Sequence, residues 1–251
     1  MSDLLKDKVA IVTGAGSGIG REIAYQFGAE GARVVASDVD NKAGNETVAR
    51  LRDRRVEAIY VHADSSKPGD SEALVAAAVK AFGGLDVAVN NAGIGGASAP
   101  VGEYPIDSWD KVIAVNLSGV FYGLRYQIPA MVQRGGGSII NIGSVLGQVG
   151  FRNSAAYVAA KHGVVGLTQN AALEYGPQKV RVNTVAPGFI KTPLLEKTLT
   201  ADAMKLLQQM HALGRLGESS EIAELVTWLA STKASFVTGA YLAIDGGYLA
   251  Q

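Results

Sequence analysis

Cysteine is absent from this 251-residue chain, which excludes a disulfide framework, a thiol nucleophile and a cysteine zinc site. Histidine is scarce: His62, His162 and His211 lie too far apart in sequence for a local ligand motif, so no structural metal is expected. Neither sign of charge is in excess, with 23 Lys plus Arg against 23 Asp plus Glu. No basic field gathers phosphate backbones or anionic lipid, and nucleic acid is not expected as a partner. Long apolar runs are missing as well. The uncharged stretches 112–124 and 135–151 contain Asn, Ser, Gly or Gln, and the opening MSDLLKDK is charged where a signal peptide would be apolar. A soluble, cytoplasmic protein without a membrane partner is expected. What remains is 48% hydrophobic and only 18% charged, a balance that disfavours disorder and coiled coil. Glycine is plentiful, at 31 positions.

Short β-branched runs alternate with longer amphipathic ones. Strands are predicted at Val9 to Thr13, Arg33 to Ser37, Val56 to His62, Leu85 to Asn90, Ser138 to Ile142, Val180 to Val185 and Tyr241 to Ile244. Helices fill the gaps, reaching about Ala29 and about Arg54, then spanning Ser71 to Phe82, Ile106 to Arg134 and Ser154 to Tyr175. Strands apolar throughout belong in a parallel sheet covered on both faces, so the expected fold is α/β: one doubly wound, seven-stranded domain of the Rossmann kind. Nothing resembling a repeat or linker divides the chain. The stretch 189–217 reads as a substrate lid, with one or two mobile helices in its Pro193 to Gly217 part. The basic run at Arg52, Arg54 and Arg55 suits the negative end of a helix rather than a phosphate.

Thr13-Gly14-Ala15-Gly16-Ser17-Gly18-Ile19-Gly20 follows the first strand and opens the first helix. Glycines there permit positive φ and let backbone N–H groups approach a pyrophosphate at the positive end of the helix dipole. Eighteen residues past Gly20, Asp38 ends the second strand. Its carboxylate can accept from ribose hydroxyls, which favours NAD, or it can cap the next helix. A 2′-phosphate about 4 Å away would cost on the order of 4 kcal/mol per charge pair before screening, and neither Ser17 nor Val39 offers a compensating cation. Asp64, and Asn90-Asn91-Ala92-Gly93, fall on the same sheet edge, where they can hold adenine and ribose or serve only as turn residues.

Tyr157 and Lys161 stand i, i+4 on a predicted helix and project from one face. Bringing a phenol from about 10 to roughly 7 takes about 4 kcal/mol, within reach of a close ammonium and a cationic nicotinamide in a dry pocket. Ser144, thirteen residues ahead of Tyr157, can return to the same pocket to orient a substrate oxygen, and Asn116 can bind a relay water.

On these residues the sequence resembles the short-chain dehydrogenase/reductase family over essentially its full length. The family's T-G-x-x-x-G-x-G loop falls on Thr13, Gly14, Gly18 and Gly20, its N-N-A-G on Asn90 to Gly93, and its P-G-x-x-x-T on Pro187, Gly188 and Thr192. The resemblance implies a catalytic tetrad of Asn116, Ser144, Tyr157 and Lys161. It implies cofactor contacts from Gly14, Ser17, Gly18, Ile19 and Gly20 in the loop, and from Asp38, Val39, Asp64 and Ser65 at the next two strand ends. Further contacts are implied from Asn91, Ala92 and Gly93, from Tyr157 and Lys161, and from Pro187, Gly188, Ile190 and Thr192. The cofactor implied is NAD, and the assembly a homotetramer built on the two long helices.

Pocket positions are Ile94, Val145, Leu146, Gln148 and Phe151, with Phe189, Leu194 and Leu195 around the lid. This wall is mostly apolar, so an uncharged, hydrophobic secondary alcohol or ketone is the expected substrate. One alternative is 3-oxoacyl reduction, disfavoured because Pro129 and Leu173 stand where carrier-protein-binding arginines are usual and because Asp38 resists NADPH. Another is a non-catalytic dinucleotide-binding sensor or scaffold.

Overall fold

A computed structural model describes residues 3–193, 195 and 200–250. In chain order the elements are β1 (Val9–Thr13), α1 (Gly18–Ala29), β2 (Arg33–Asp38), α2 (Asn41–Asp53), β3 (Ala58–His62), α3 (Pro68–Phe82) and β4 (Val87–Asn90). There follow α4 (Ile106–Ile113), α5 (Gly119–Arg134), β5 (Gly137–Ile142), α6 (Ala155–Tyr175), β6 (Val180–Pro187) and β7 (Ile190–Lys191). The chain closes with α7 (Ala201–Gln209), β8 (Gly217–Glu218), α8 (Ser219–Ala230) and β9 (Tyr241–Ile244).

Seven strands form one parallel sheet in the order β3-β2-β1-β4-β5-β6-β9. Every residue of β1 is buried because its side chains alternate between two cores. Ala10 and Val12 face Ile23 and Phe27 of α1 and Val226 and Leu229 of α8. Val9 and Ile11 face Leu74 of α3, Leu124 and Ile128 of α5 and Val164 of α6. Each fully buried Leu, Ile or Phe contributes about 1.5–3 kcal/mol. The strand order reverses between β1 and β4, which opens a crevice at their carboxyl ends, the usual ligand position in such sheets.

The second core is crossed by a chain of side-chain hydrogen bonds. The Asn90 amide donates to Gln127 (3.1 Å) and Asn141 (2.9 Å), and the Gln127 amide donates back to Asn90 at 2.8 Å. Asn141 donates to Thr168 Oγ1 at 2.9 Å, as does Thr184 at 2.7 Å, and Thr168 donates to Val164 O. All five side chains are buried, and full pairing is what makes their burial tolerable.

Several expectations need correction. The single helix predicted from Ile106 to Arg134 is broken by a π turn at residues Ala114–Ser118 between α4 and α5. Helix α3 starts at Pro68, earlier than Ser71, because proline suits a first turn whose N–H has no partner. Strand β3 begins only at Ala58; Arg55 just before it has φ 63°. Helix α8, absent from the sequence reading, starts at a capping box between Glu218 and Glu221 and packs Ile222, Val226 and Leu229 inward. The expected lid contains α7, whose Thr200 hydroxyl accepts from Ala203 N–H at 3.3 Å. Among the described residues, no helix is long and apolar enough to cross a membrane, and no group of three His, Cys, Asp or Glu could hold a metal.

Candidate active site

The loop between β1 and α1 turns at Gly14, with φ 65°, and again at Gly18, with φ 52°. No side chain caps α1, and Ser17 at its N-cap is exposed, so no side chain satisfies its first-turn N–H groups. The loop is locked to the end of β4. Asn91 donates its amide to Thr13 O at 2.8 Å, while the Thr13 hydroxyl accepts from the N–H groups of Asn91 (3.0 Å) and Ala92 (3.1 Å). The Asn91 side chain thus holds the cradle together. A Cβ on Gly18 would sit 3.4 Å from the Thr192 methyl, which brings the Pro187 to Thr192 stretch against the glycine loop.

Asp38 ends β2 beside this loop. Its carboxylate accepts from Gly16 N–H at 2.8 Å and from Asp40 N–H at 2.9 Å, so it points into the cradle rather than capping α2, a task done by Asp40. Gly16, outside the family's loop motif, matters as well: a Cβ there would lie 2.7 Å from Asp38 Oδ2. The nearby cation Arg21 was also overlooked. Its guanidinium donates to Gly16 O and to Thr47 Oγ1 and pairs with Glu46 at 3.8 Å.

The other strand ends are less open. Asp64 accepts from Ser66 N–H at 3.0 Å and Ser66 Oγ–H at 2.7 Å; the hydroxyl bond holds its carboxyl below the usual range, against some desolvation. Ser65, next to it, packs its backbone on Gly119 at the start of α5. Ile19 and Ile190 belong to the first core, which leaves mainly the backbone of Ile190 available to a ligand. Val39 is exposed, Pro187 is buried in β6, and Gly188 and Gly93 line loops at the strand ends.

Ser144, Tyr157 and Lys161 meet where β5 gives way to α6. The serine hydroxyl stands close enough to the Tyr157 phenol to favour its ionised form, and Ser144 Oγ accepts from Leu146 N–H at 3.2 Å. Lys161 is only 4% exposed; its Nζ lies 5.4 Å from the Tyr157 ring centroid and donates to Ile142 O at 2.7 Å. Burial lowers the ammonium to about 8. Burial also pushes the Tyr157 phenol up, with the Ser144 hydroxyl pulling the other way. The depression of Tyr157 expected from Lys161 is therefore not produced by the chain alone, since desolvation dominates and the ammonium is engaged on a carbonyl.

Asn116 sits in the π turn, fully buried. Its Oδ1 accepts from Ile94 N–H at 2.9 Å and its Nδ2 donates to Ile94 O at 2.8 Å. The amide read as a relay-water ligand thus spends one donor and one acceptor on the loop that follows β4.

Around this cluster the pocket differs from expectation. Val145 and Leu146 are buried at 1% and 5% exposure, leaving little surface for a ligand, whereas Gln148 is exposed and Ile94 partly so. Leu194 lies outside the described residues. Leu195 N–H donates to Thr192 Oγ1 at 3.3 Å. Phe151 and Phe189 are in ring contact at 5.5 Å, and Phe189 continues to His211 (5.9 Å) and Tyr248 (5.7 Å). His211 Nε2 accepts from Phe189 N–H at 3.2 Å and Nδ1 donates to Leu207 O at 2.7 Å, the only pairing those two backbone partners allow. His211 and Tyr248 escaped the sequence reading because neither lies in a motif; only the fold brings four distant rings together.

Comparison with known proteins gives the family of the chain. The family profile described as enoyl-(acyl carrier protein) reductase matches residues 14–249. The cyclohexanol dehydrogenase of Acinetobacter sp. (strain SE19) is 44% identical over 251 residues, covering 100% of this chain and 98% of its own. A 3-alpha-(or 20-beta)-hydroxysteroid dehydrogenase of Mycobacterium tuberculosis (strain ATCC 25618 / H37Rv) is 42% identical, covering 100% and 92%. The crystal structure of levodione reductase superposes with a TM-score of 0.96 at 38% identity, over 98% of this chain and 99% of that one. The chain belongs to the short-chain dehydrogenase/reductase family, oxidoreductases that work with a nicotinamide dinucleotide.

Proposed function

We propose that the protein is an NAD(H)-dependent oxidoreductase that interconverts an uncharged cyclic secondary alcohol and its ketone. The observation that carries this reading is the convergence of the Ser144 hydroxyl, the Tyr157 phenol and the buried Lys161 ammonium past the carboxyl end of β5, in the same parallel sheet whose β1 leads into the glycine cradle. The cradle fits a dinucleotide: its helix N-terminus is uncapped, and a Cβ at Gly14 or Gly16 would collide with Asn91 or Asp38. Asp38, directed into the cradle, supports NAD over NADP, and Arg21 is already paired. When bound, the oxidised nicotinamide supplies the hydride acceptor and a positive charge that favours phenolate.

In the oxidation direction Tyr157 Oη takes the hydroxyl proton and Ser144 Oγ positions the substrate oxygen. Lys161, fixed on Ile142 O, keeps a positive charge near the phenol below pH of about 8. Asn116 holds the Ile94 loop in place, and Phe151, Phe189 and Tyr248 offer flat apolar surface to a ring. The relatives named for cyclohexanol and hydroxysteroid oxidation support a cyclic substrate. We place the subunits in a homotetramer through the two long helices, where Phe121 and Leu173 are exposed.

Initial rates with cyclohexanol and either NAD or NADP test the reading. A clear NAD preference is expected, together with a loss of more than tenfold in Tyr157→Phe; a variant retaining more than a tenth of turnover refutes the role of Tyr157. A second reading is 3-oxoacyl thioester reduction, favoured only in so far as the family profile is described for an enzyme acting on carrier-bound acyl chains, an enoyl reductase. A strong NADPH preference with a 3-oxoacyl thioester would favour it.

A further inference from the structure

The turn that carries Ser144 is held from three directions. Lys161 donates to Ile142 O, Gly143 N–H donates to Val185 O at 2.7 Å, and the Ser144 carbonyl accepts from Gly147 N–H at 2.8 Å. That same carbonyl also accepts from the Tyr241 hydroxyl, again at 2.8 Å. Tyr241 begins β9, and its register partner is Thr184 on β6, which itself faces Asn141 on β5. The ring therefore reaches across a whole strand to touch the serine that stands beside Tyr157.

A carbonyl can only accept, so the Tyr241 proton is committed to it. Burial, reinforced by Asp245, pushes this phenol up to about 12, and the donor stays protonated over the working range. Fixing the Ser144 carbonyl fixes ψ of Ser144, observed at 158°, and with it the direction of Leu146 N–H, to which Oγ is bonded.

We propose that Tyr241 is a positioning residue for the proposed reaction: by anchoring the Ser144 carbonyl it sets where the Ser144 hydroxyl stands against the Tyr157 phenol. This rests on the roles given above to Ser144 and Tyr157. A tyrosine that merely satisfied its own hydroxyl would affect stability without touching the protonation of Tyr157.

Tyr241→Phe keeps the ring and removes one hydroxyl. With cyclohexanol and NAD, kcat is expected to fall five- to twentyfold while the KM for NAD stays within twofold. The apparent pKa governing kcat is expected to rise, because the Ser144 hydroxyl that lowers the Tyr157 phenol is no longer held in place. In a Ser144→Ala background the same substitution should cost less than twofold, since the group it positions is gone. Tyr241→Met serves as a second variant, and NADH fluorescence titration verifies the fold of each. An unchanged kcat and pH profile in Tyr241→Phe, or an equal loss in both backgrounds, overturns the proposal while leaving the Ser144 role intact. Wild-type turnover in Ser144→Ala would instead remove the reading on which the proposal stands, and the proposal with it.

Discussion

Lys161 donates its ammonium to the main-chain carbonyl of Ile142 at 2.7 Å, from a position almost closed to solvent. Its lowered value, about 8, makes stability depend on pH in a definite direction. Below that value both folded and unfolded lysine are protonated, and the folded state bears the full burial cost. As pH rises from about 8 toward 10.5, the unfolded chain holds the proton that the folded one sheds, so folding becomes more favourable. The full effect is roughly 3 kcal/mol. Urea unfolding at pH 7 and pH 10 should show wild type gaining on Lys161→Met; a constant difference contradicts the assignment.

Removing the carboxylate of Asp38 should relax the choice of cofactor. In Asp38→Ala the ratio of kcat/KM for NAD over NADP is expected to drop at least tenfold, about 1.4 kcal/mol. Steady-state kinetics with both dinucleotides decide the point, and an unaltered ratio would shift discrimination to other residues.

Gly20 packs against the loop it follows. A Cβ there would meet the Gly14 carbonyl and the Asn91 amide at once, two groups that form the cradle's own framework. Gly20→Ala is expected to weaken NADH binding at least tenfold and to destabilise by about 1–3 kcal/mol. Fluorescence titration and thermal melts would both have to remain near wild type for this to fail.

Asn116→Ala strips Ile94 of partners for both its N–H and its carbonyl. A fully buried group left unpaired costs about 1–3 kcal/mol, and the partly exposed Ile94 should lose less, because water can reach its backbone. Asn116→Asp, which buries a carboxylate and turns one of its oxygens on the Ile94 carbonyl, should be at least as destabilised as alanine at neutral pH in chemical denaturation. Equal stability of all three would show that the Ile94 loop does not depend on this amide.

Much of the fold was legible because its strands are uniformly apolar and its turns glycine-marked, as in Val9 to Thr13 followed by Gly14. Spacing alone made Ser144, Tyr157 and Lys161 only one possible constellation; the resemblance to the family's motifs is what singled them out. The π turn at Asn116 was not, because it leaves the helical apolar period almost intact. Helix α8 was missed because its N-cap is Glu218, a residue that rarely announces a helix start, although Ile222, Val226 and Leu229 repeat at helical spacing. The strand pair β7 and β8 is two residues long and joins distant segments, beyond any local pattern. Tyr241 and His211 act through partners far away in sequence, and no short window contains both ends of those contacts.

The five amides and hydroxyls threaded from Asn90 to Thr184 bind β4, β5 and β6 to the two helices behind them. Their interlocking leaves that floor no small independent adjustments: a volume change at any member would propagate to three strand ends together. Adaptation to new substrates would therefore be easier at the rim, where side chains answer to fewer neighbours, than at the bedrock beneath the serine.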